Sequence, residues 1–237
     1  MSGRIIREGG PAGIAGLPKI GKVTVGMKSE RGYPMSIDYF RPTGKYAELF
    51  TKILGAKPTS IPVIFPSDDP ALVCNEQYEY RDNAGALVAY GDGQTFYVWD
   101  GAKYAPFTIE RIPDLMARVA AKYPKKPRKE GDDGWDITLE MWFIIPALRE
   151  VVGVWGFKTK GAASSIRNIR DSFDAVQSLR GTVRTSAFDL SVKMHKSNKP
   201  GSNSRYPVVN LVCDDTLVPS IQAVLEQRGG VLQIGEK

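Results

Sequence analysis

Alternation of apolar and polar residues between residues 135 and 145 constrains the fold more than any other feature of the chain. One face of this segment carries Trp135, Ile137, Leu139, Met141, Phe143 and Ile145. Asp136, Thr138 and Glu140 lie opposite. Successive side chains of a β-strand point to opposite faces, so this pattern predicts a half-buried strand. The chain is therefore expected to be built around sheets.

Other segments predict further strands and a few helices. Thr182–Met194 alternates in the same way, and Tyr206–Cys213 is its expected partner. Further strands are predicted over Lys19–Met27, Pro34–Phe40, Ile61–Phe65, Leu72–Arg81, Ala86–Tyr90, Thr95–Trp99 and Val151–Thr159. Apolar residues at helical spacing predict helices over Gly44–Gly55, Ile112–Tyr123, Ser165–Arg180 and Pro219–Gln227.

These elements predict an α+β fold that is rich in strands. We expect two small sheet-based units, each barrel- or sandwich-like, with a few short helices. Residues 1–18 are expected to form a flexible arm, residues 19–123 a β-meander unit with two helices, and residues 124–134 a basic linker or loop. Residues 135–237 are expected to form a second sheet unit with a central helix and a basic hairpin, packed against the first.

The small number of His and Cys residues excludes several kinds of catalytic and metal site. The chain contains one His, His195, and two Cys, Cys74 and Cys213, whereas a Cys/His zinc site needs about four ligands. Two widely spaced cysteines do not make a disulfide framework and suit a reducing compartment, although their pairing stays open. No Walker-type loop, nucleophile elbow or metalloprotease motif occurs. We expect no cofactor, no catalytic metal and no enzymatic activity, with His195 as a solvated edge residue.

The sequence also predicts where the protein acts. The N-terminal residues contain no apolar run of signal-peptide length. No window approaches the run of about 18 apolar residues that a membrane span needs. A cytoplasmic protein without a membrane partner is expected.

The positive charge of the chain is concentrated in one stretch. Residues 157–205 contain ten basic and three acidic residues, a net charge of +7, while the whole chain carries +6. A local excess of this kind is typical of a protein with one polyanion-binding face. The alternative explanation is a basic protein with an uneven surface.

Two parts of that stretch are candidate nucleic-acid contacts. In the first, a strand ends in two lysines, a glycine follows and a helix capped by a serine hydroxyl starts with exposed N–H groups, which favours phosphate binding. Its candidates are Lys158, Lys160, Ser164, Arg167 and Arg170. The alternative is an ordinary serine cap with surface charges.

The second part is the basic hairpin, whose Gly/Ser/Asn/Pro tip suits contact with a nucleic-acid backbone. Its candidates are Lys193, Lys196, Lys199 and Arg205. Tyr206, Trp155 and Phe157 are candidates for stacking on bases, although aromatic residues on strands are more often in a core.

Several short stretches resemble the recombination directionality factor-like proteins of phages and integrative elements that use large serine integrases. In the first half they are Ile20–Val23, Ser29–Pro34 through Asp38–Phe40, Asp68–Pro70 with Cys74–Glu76, and Gly91–Gly93. In the second half they are Gly156–Gly161, Asn168–Arg170 with Phe173–Asp174, Arg180–Gly181 and Ser204–Val208. The likeness runs from about residue 19 to residue 213.

The resemblance implies a non-enzymatic accessory protein that binds a serine integrase on DNA and switches it from integration to excision inside the bacterial host cell. It supplies no residue-level binding motif. The residues themselves slightly favour a second hypothesis, a single-stranded nucleic-acid-binding protein of phage replication or repair with a strand platform and a basic groove. An enzyme with an unrecognised site is the third and weakest hypothesis. The expected partners are the phosphate backbone of nucleic acid and a large serine integrase.

Overall fold

The computed structural model describes residues 17–107, 112–125, 132–197, 201 and 203–214. Most of the predicted arm over residues 1–18, most of the basic run at 124–134 and the predicted helix Pro219–Gln227 lie outside these ranges. In chain order the elements are β1 (Lys19–Lys28), β2 (Pro34–Thr43), α1 (Ala47–Leu54), β3 (Ser60–Val63), α2 (Pro70–Val73), β4 (Cys74–Arg81), β5 (Leu87–Gly91), β6 (Phe96–Trp99), β7 (Tyr104–Phe107), α3 (Ile112–Lys122), β8 (Trp135–Phe143), β9 (Val154–Thr159), a π-helical turn (Ala162–Ile166), α4 (Arg167–Arg180), β10 (Phe188–Lys196) and β11 (Arg205–Cys213).

The strands form a large sheet and a small sheet. The large sheet has eight strands in the order β2-β1-β9-β8-β4-β5-β6-β7, and the small sheet has three in the order β11-β10-β3. Only the pair of β1 and β9 within the large sheet is parallel. The strand-rich α+β class predicted from the sequence, with sheets and a few short helices, is confirmed.

Strands from both halves of the chain share each sheet. β8 and β9 lie between strands of residues 19–107, while β3 pairs with β10 of the second half. The division into a unit of residues 19–123 and a unit of residues 135–237 stays a prediction. β7 was not predicted, and it lies at the edge of the large sheet next to β6.

The main core lies between the inner face of the large sheet, the small sheet and the helices α1 and α4. We call the face that carries Met141 and Phe157 the inner face, and the face that carries Glu79 and Lys158 the outer face. Phe65 joins the layers, because its ring centroid lies 5.1 Å from that of Phe173 on α4 and 5.1 Å from that of Phe188 on β10. Aromatic contacts of this kind add about 0.5–1.5 kcal/mol each beyond burial.

A second, smaller core lies under β4–β6 and β8. Leu115 and Val119 of α3 are buried there against Tyr80 and Trp135. The indole N–H of Trp135 donates to the backbone carbonyl of Met116 at 3.3 Å, which ties the helix to the sheet. Both cores lie against the inner face of the large sheet. Because successive side chains of a strand point to opposite faces, the residues of β4–β6 that alternate with these core residues lie on the outer face.

Candidate nucleic-acid interface

The last rungs of the β10–β11 hairpin form a basic surface, which we call the hairpin end and define as residues 193–196 and 205–206. Phe188, Leu190 and Val192 anchor β10 in the core, as the alternation predicted. Beyond Val192 the strand leaves the core, and Lys193, His195 and Lys196 are exposed. The expectation that His195 is an exposed residue at the end of a strand is therefore confirmed.

Two cations face each other on the final rung of this hairpin. Lys196 lies directly opposite Arg205 in the antiparallel register, and both are exposed. Like charges directly opposite each other destabilise a strand pair. Neither side chain forms an ion pair within the ranges that the structure describes. A bound polyanion would relieve this repulsion, which is what makes the hairpin end a candidate interface.

The other predicted hairpin residues have different positions. Lys193 is exposed and lies opposite Val208 on β11. Lys199 lies outside the described residues. Pro207 lies in β11 opposite Met194. A proline has no N–H to donate to a neighbouring strand, and it is tolerated here because β11 is an edge strand of the small sheet.

The start of α4 lies beside β11. The hydroxyl of Ser165 accepts a 3.0 Å hydrogen bond from the backbone N–H of Val209, and the amide of Asn168 donates to the side-chain oxygen of Asn210 at 2.6 Å. The exposed Arg167 therefore lies near the middle of β11. Four residues of strand, about 13 Å at the usual rise, separate Val209 from Arg205.

The predicted serine cap at this helix start is wrong. The helical segment already begins at Ala162 as a π-helical turn, and neither that turn nor α4 has a side-chain cap. Ser165 is buried and turned to β11, while Ser164 is half-buried and its N–H donates to the carbonyl of Gly161 at 3.1 Å. A phosphate contact by Ser164 stays a prediction without the capping geometry that motivated it.

Lys158 lies in an ion-pair cluster on the outer face of the large sheet. Its ammonium contacts the carboxylate of Glu79, a residue only 1% exposed. Glu79 also accepts from Arg81 at 3.0 Å and from Gln77 at 2.9 Å. Burial alone would raise the pKa of Glu79, but the hydrogen bonds and charges of Lys158, Gln77 and Arg81 outweigh it and hold that pKa below its ordinary value. Lys158 thus has a carboxylate partner within the fold.

Two further predicted cations are also paired with carboxylates. Lys160 contacts Asp136 at 2.7 Å, and Arg170 contacts Glu76 at 3.3 Å and Asp171 at 3.0 Å. The structure therefore divides the predicted site residues into two groups. Lys158, Lys160 and Arg170 have partners, whereas Arg167, Lys193, Lys196 and Arg205 form no ion pair among the described residues. All nine candidates remain predictions as nucleic-acid contacts.

The three aromatic residues that are candidates for base stacking differ in their exposure to solvent. Trp155 and Phe157 are fully buried in the main core, which is the more common position for aromatic residues on strands, so these two candidates cannot stack on bases. Tyr206 is 41% exposed, and its ring centroid lies 6.4 Å from that of His195 across the hairpin. Of the three residues, Tyr206 alone presents a surface that a base could reach.

Sequence reasoning missed an aromatic cluster on the outer face of β5–β7. Tyr90 and Tyr97 stack with centroids 5.2 Å apart, and Tyr104 lies 5.2 Å from Tyr90 and 5.2 Å from Trp99. All four residues are half-buried. Alternation of aromatic residues along β6, with Tyr97 and Trp99 two positions apart, was the signal that could have revealed it.

The described part of the chain contains no group of three or more His, Cys, Asp or Glu side chains arranged to hold a metal ion. No helix in the ranges given above combines the length and hydropathy that a membrane span requires. Neither cysteine forms a disulfide.

A family model described as Gp3-like, recombination directionality factor-like, matches residues 20–214. The chain belongs to the recombination directionality factor-like family. Membership of this family indicates an accessory protein of phage recombination. The matched region includes both sheets and the hairpin end. Neither a curated protein nor a solved structure matches the chain.

Proposed function

We propose that this protein is a non-enzymatic directionality factor-like accessory protein, which acts in the bacterial cytoplasm by binding a large serine integrase, DNA or both. The family match is the observation that carries this proposal. The cations of the hairpin end, which form no ion pair with any described residue, support a polyanionic component in the complex, because local positive charge attracts phosphate.

Such a factor must discriminate between two assemblies of the recombinase. A ligand shifts an equilibrium only by as much as its affinities for the two states differ. We therefore expect the protein to bind integrase on the excision substrates more tightly than integrase on the integration substrates. Equal binding to both would leave the direction of recombination unchanged.

A gel shift tests this difference in affinity. Integrase of the same mobile element is bound to integration or excision substrates, and the protein is titrated into each complex. The expected result is a further shift at lower protein concentration with the excision substrates. Equal affinities for the two complexes, or no further shift with either, would contradict the proposal.

A second candidate function is binding of single-stranded nucleic acid, which the aromatic cluster on the outer face favours. Tyr90, Tyr97 and Trp99 are the kind of side chains on which bases stack, at about 1–3 kcal/mol per base. Replacement of Tyr97 by Ala should then weaken binding of an oligothymidine measured by fluorescence anisotropy. Binding that Tyr97→Ala leaves unchanged would remove this cluster from consideration.

A further inference from the structure

The β1–β2 hairpin extends beyond the large sheet as a two-stranded ribbon, which we call the β1–β2 ribbon and define as residues 24–36. β1 pairs with β9 only from Lys19 to Val23. Further along, β1 pairs with β2 alone, and β2 is the edge strand of the large sheet. Within the part of the chain that the structure describes, the ribbon therefore has no neighbouring strand on either side.

One face of the ribbon is apolar and continues the inner face of the large sheet. Side chains alternate along β1, so Met27 points to the same side as Val23 and Val25, which both pack in the main core. Met35 lies directly opposite Met27, and Tyr33, two positions away, shares its side. Val23 is fully buried, whereas Met35 is 45% exposed and Tyr33 is 69% exposed. The apolar stripe of the core thus continues onto an exposed surface.

The residue types on this face are those of a protein interface. Other exposed large apolar residues, such as Ile53, Val152 and Leu179, lie on three separate segments, and scattered residues of this kind are normal. Tyr33 and Met35 instead lie together on one face of one ribbon. Tyrosine and methionine are enriched in interfaces, and tyrosine is frequent among the residues that contribute most of the binding energy.

The backbone edges of the ribbon are closed to an added strand. The N–H of Ser29 donates to the carbonyl of Tyr33 at 2.8 Å, so the alternation of the ladder turns the backbone of Pro34 and of Gly26 outward. Pro34 has no N–H, and the carbonyl of Gly26 accepts from the hydroxyl of Thr24 at 3.0 Å. A partner of the ribbon is therefore expected to contact its side chains rather than extend its sheet.

Three exposed charged residues border the apolar face. They are Lys28, Glu30 and Arg31, and none of them forms an ion pair among the described residues. Cations are in excess, so the complementary surface is an apolar patch with carboxylates at its border.

We infer that the β1–β2 ribbon docks through Tyr33 and Met35 on an apolar patch of the integrase that is bordered by carboxylates. The inference rests on the proposed function and adds to it the surface that binds integrase and the chemistry of the surface it meets. Tyr33 and Met35 supply affinity, while Lys28 and Arg31 speed association.

Biolayer interferometry on immobilised integrase without DNA provides the test. Tyr33→Ala/Met35→Ala should bind at least about 30-fold more weakly than the parent, mainly through faster dissociation. Tyr33→Phe/Met35→Leu, which keeps the apolar area, should bind like the parent. Val152→Ala/Leu179→Ala is the matched control, because it removes two apolar side chains that are 73% and 85% exposed, and it should also bind like the parent.

A second pair of variants tests the charged border. Lys28→Ala/Arg31→Ala should slow association and reduce its dependence on salt, with little change in dissociation. Lys52→Ala/Arg118→Ala, which removes two exposed cations from α1 and α3, should change neither rate. Thermal melting should show every variant folded, because substitutions at exposed positions usually change stability by less than about 0.5 kcal/mol.

Three outcomes would overturn the inference and leave integrase binding by the parent in place. They are unchanged affinity of folded Tyr33→Ala/Met35→Ala, an equal loss of affinity in Val152→Ala/Leu179→Ala, and a parent dimer in sedimentation that Tyr33→Ala/Met35→Ala converts to monomer. The last would assign the ribbon to contact with a second copy of this chain. A parent protein that does not bind integrase at all would instead contradict the integrase partner of the proposed function, and the inference with it.

Discussion

The carboxylate of Asp68 accepts a 2.7 Å hydrogen bond from the hydroxyl of Thr182, a residue 114 positions further along the chain. The same oxygen accepts from the backbone N–H of Val183 at 2.7 Å. Asp68 thereby joins the loop between β3 and α2 to the loop that follows α4. This link fixes the path of the chain from the main-core helix into the strand that carries the hairpin end.

Replacement of Asp68 by Ala should destabilise the protein by about 2–3 kcal/mol, because it leaves the Thr182 hydroxyl and the Val183 N–H without their charged acceptor. Urea unfolding followed by circular dichroism measures the effect. Glu30→Gln, which neutralises an exposed carboxylate at the tip of the β1–β2 hairpin, should change stability by less than about 0.5 kcal/mol. Equal effects of the two substitutions would show that Asp68 contributes nothing beyond its charge.

Gly21 should not tolerate a side chain. A β-carbon at this position would lie 2.5 Å from the ring of Trp155 and 2.9 Å from the carbonyl oxygen of Thr43. Gly21→Ala should therefore cost at least about 1–3 kcal/mol through overpacking. Gly26→Ala in the same strand is the control, because its β-carbon would meet the carbonyl oxygen of Met35 at an ordinary 3.6 Å. A thermal melt in which both variants match the parent would refute the predicted clash.

Loss of the Glu79 carboxylate should destabilise the protein in a pH-dependent way. At neutral pH, Glu79→Gln should lower the free energy of unfolding by about 2–3 kcal/mol. This is less than the loss expected on breaking a fully buried ion pair, because the side chains of Lys158 and Arg81 are 28% and 31% exposed. The pKa of Glu79 in the folded state lies below its ordinary value of 4.5. Its stabilisation is therefore present above that pH and is lost as the pH falls through the folded-state pKa. Urea unfolding between pH 3 and 7 should show the difference from the parent shrinking at the acidic end, and a difference independent of pH would be inconsistent with the ion pair.

The two cysteines should differ in reactivity. Burial, with smaller contributions from the charges of Asp174 and Glu76, raises the pKa of the Cys74 thiol to about 12. Cys213 is only half-buried. Because the thiolate is the reactive form, a thiol reagent should label Cys213 well before Cys74 in the native protein. Mass spectrometry of timed samples measures the order, with Cys213→Ser to isolate Cys74. Equal rates for the two sites would contradict the burial of Cys74.

The alternation of single segments predicted most of the strands, but it could not predict how they pair. β8 and β10 were found because one face of each is apolar. β7 was missed because it has four residues, includes Pro106 and is exposed at its end, so it carries no alternation that differs from a loop. The parallel pairing of β1 with β9 joins segments more than a hundred residues apart, and no local pattern encodes such a contact.

The sequence could predict which region of the chain carries the positive charge of the candidate interface. It could not predict which of those residues have partners within the fold. Clustering of basic residues located the hairpin, since charge runs are visible in a sequence. The pairing of Lys158 with Glu79 was invisible, because 79 positions separate the two residues. Likewise a serine hydroxyl cap was expected at the start of this helix, whereas in the fold the hydroxyl of Ser165 accepts from the backbone N–H of Val209 on β11.

The most direct measurement of the central claim is the direction of recombination in a purified system. Integrase of the same mobile element is incubated with integration or excision substrates, and products are quantified without the protein, with the parent protein, and with Lys193→Ala/Lys196→Ala/Arg205→Ala. We predict that the parent protein promotes excision, that the triple variant remains folded and loses this effect, and that Lys52→Ala/Arg118→Ala retains it. Excision and integration rates that the parent protein leaves unchanged would contradict the account.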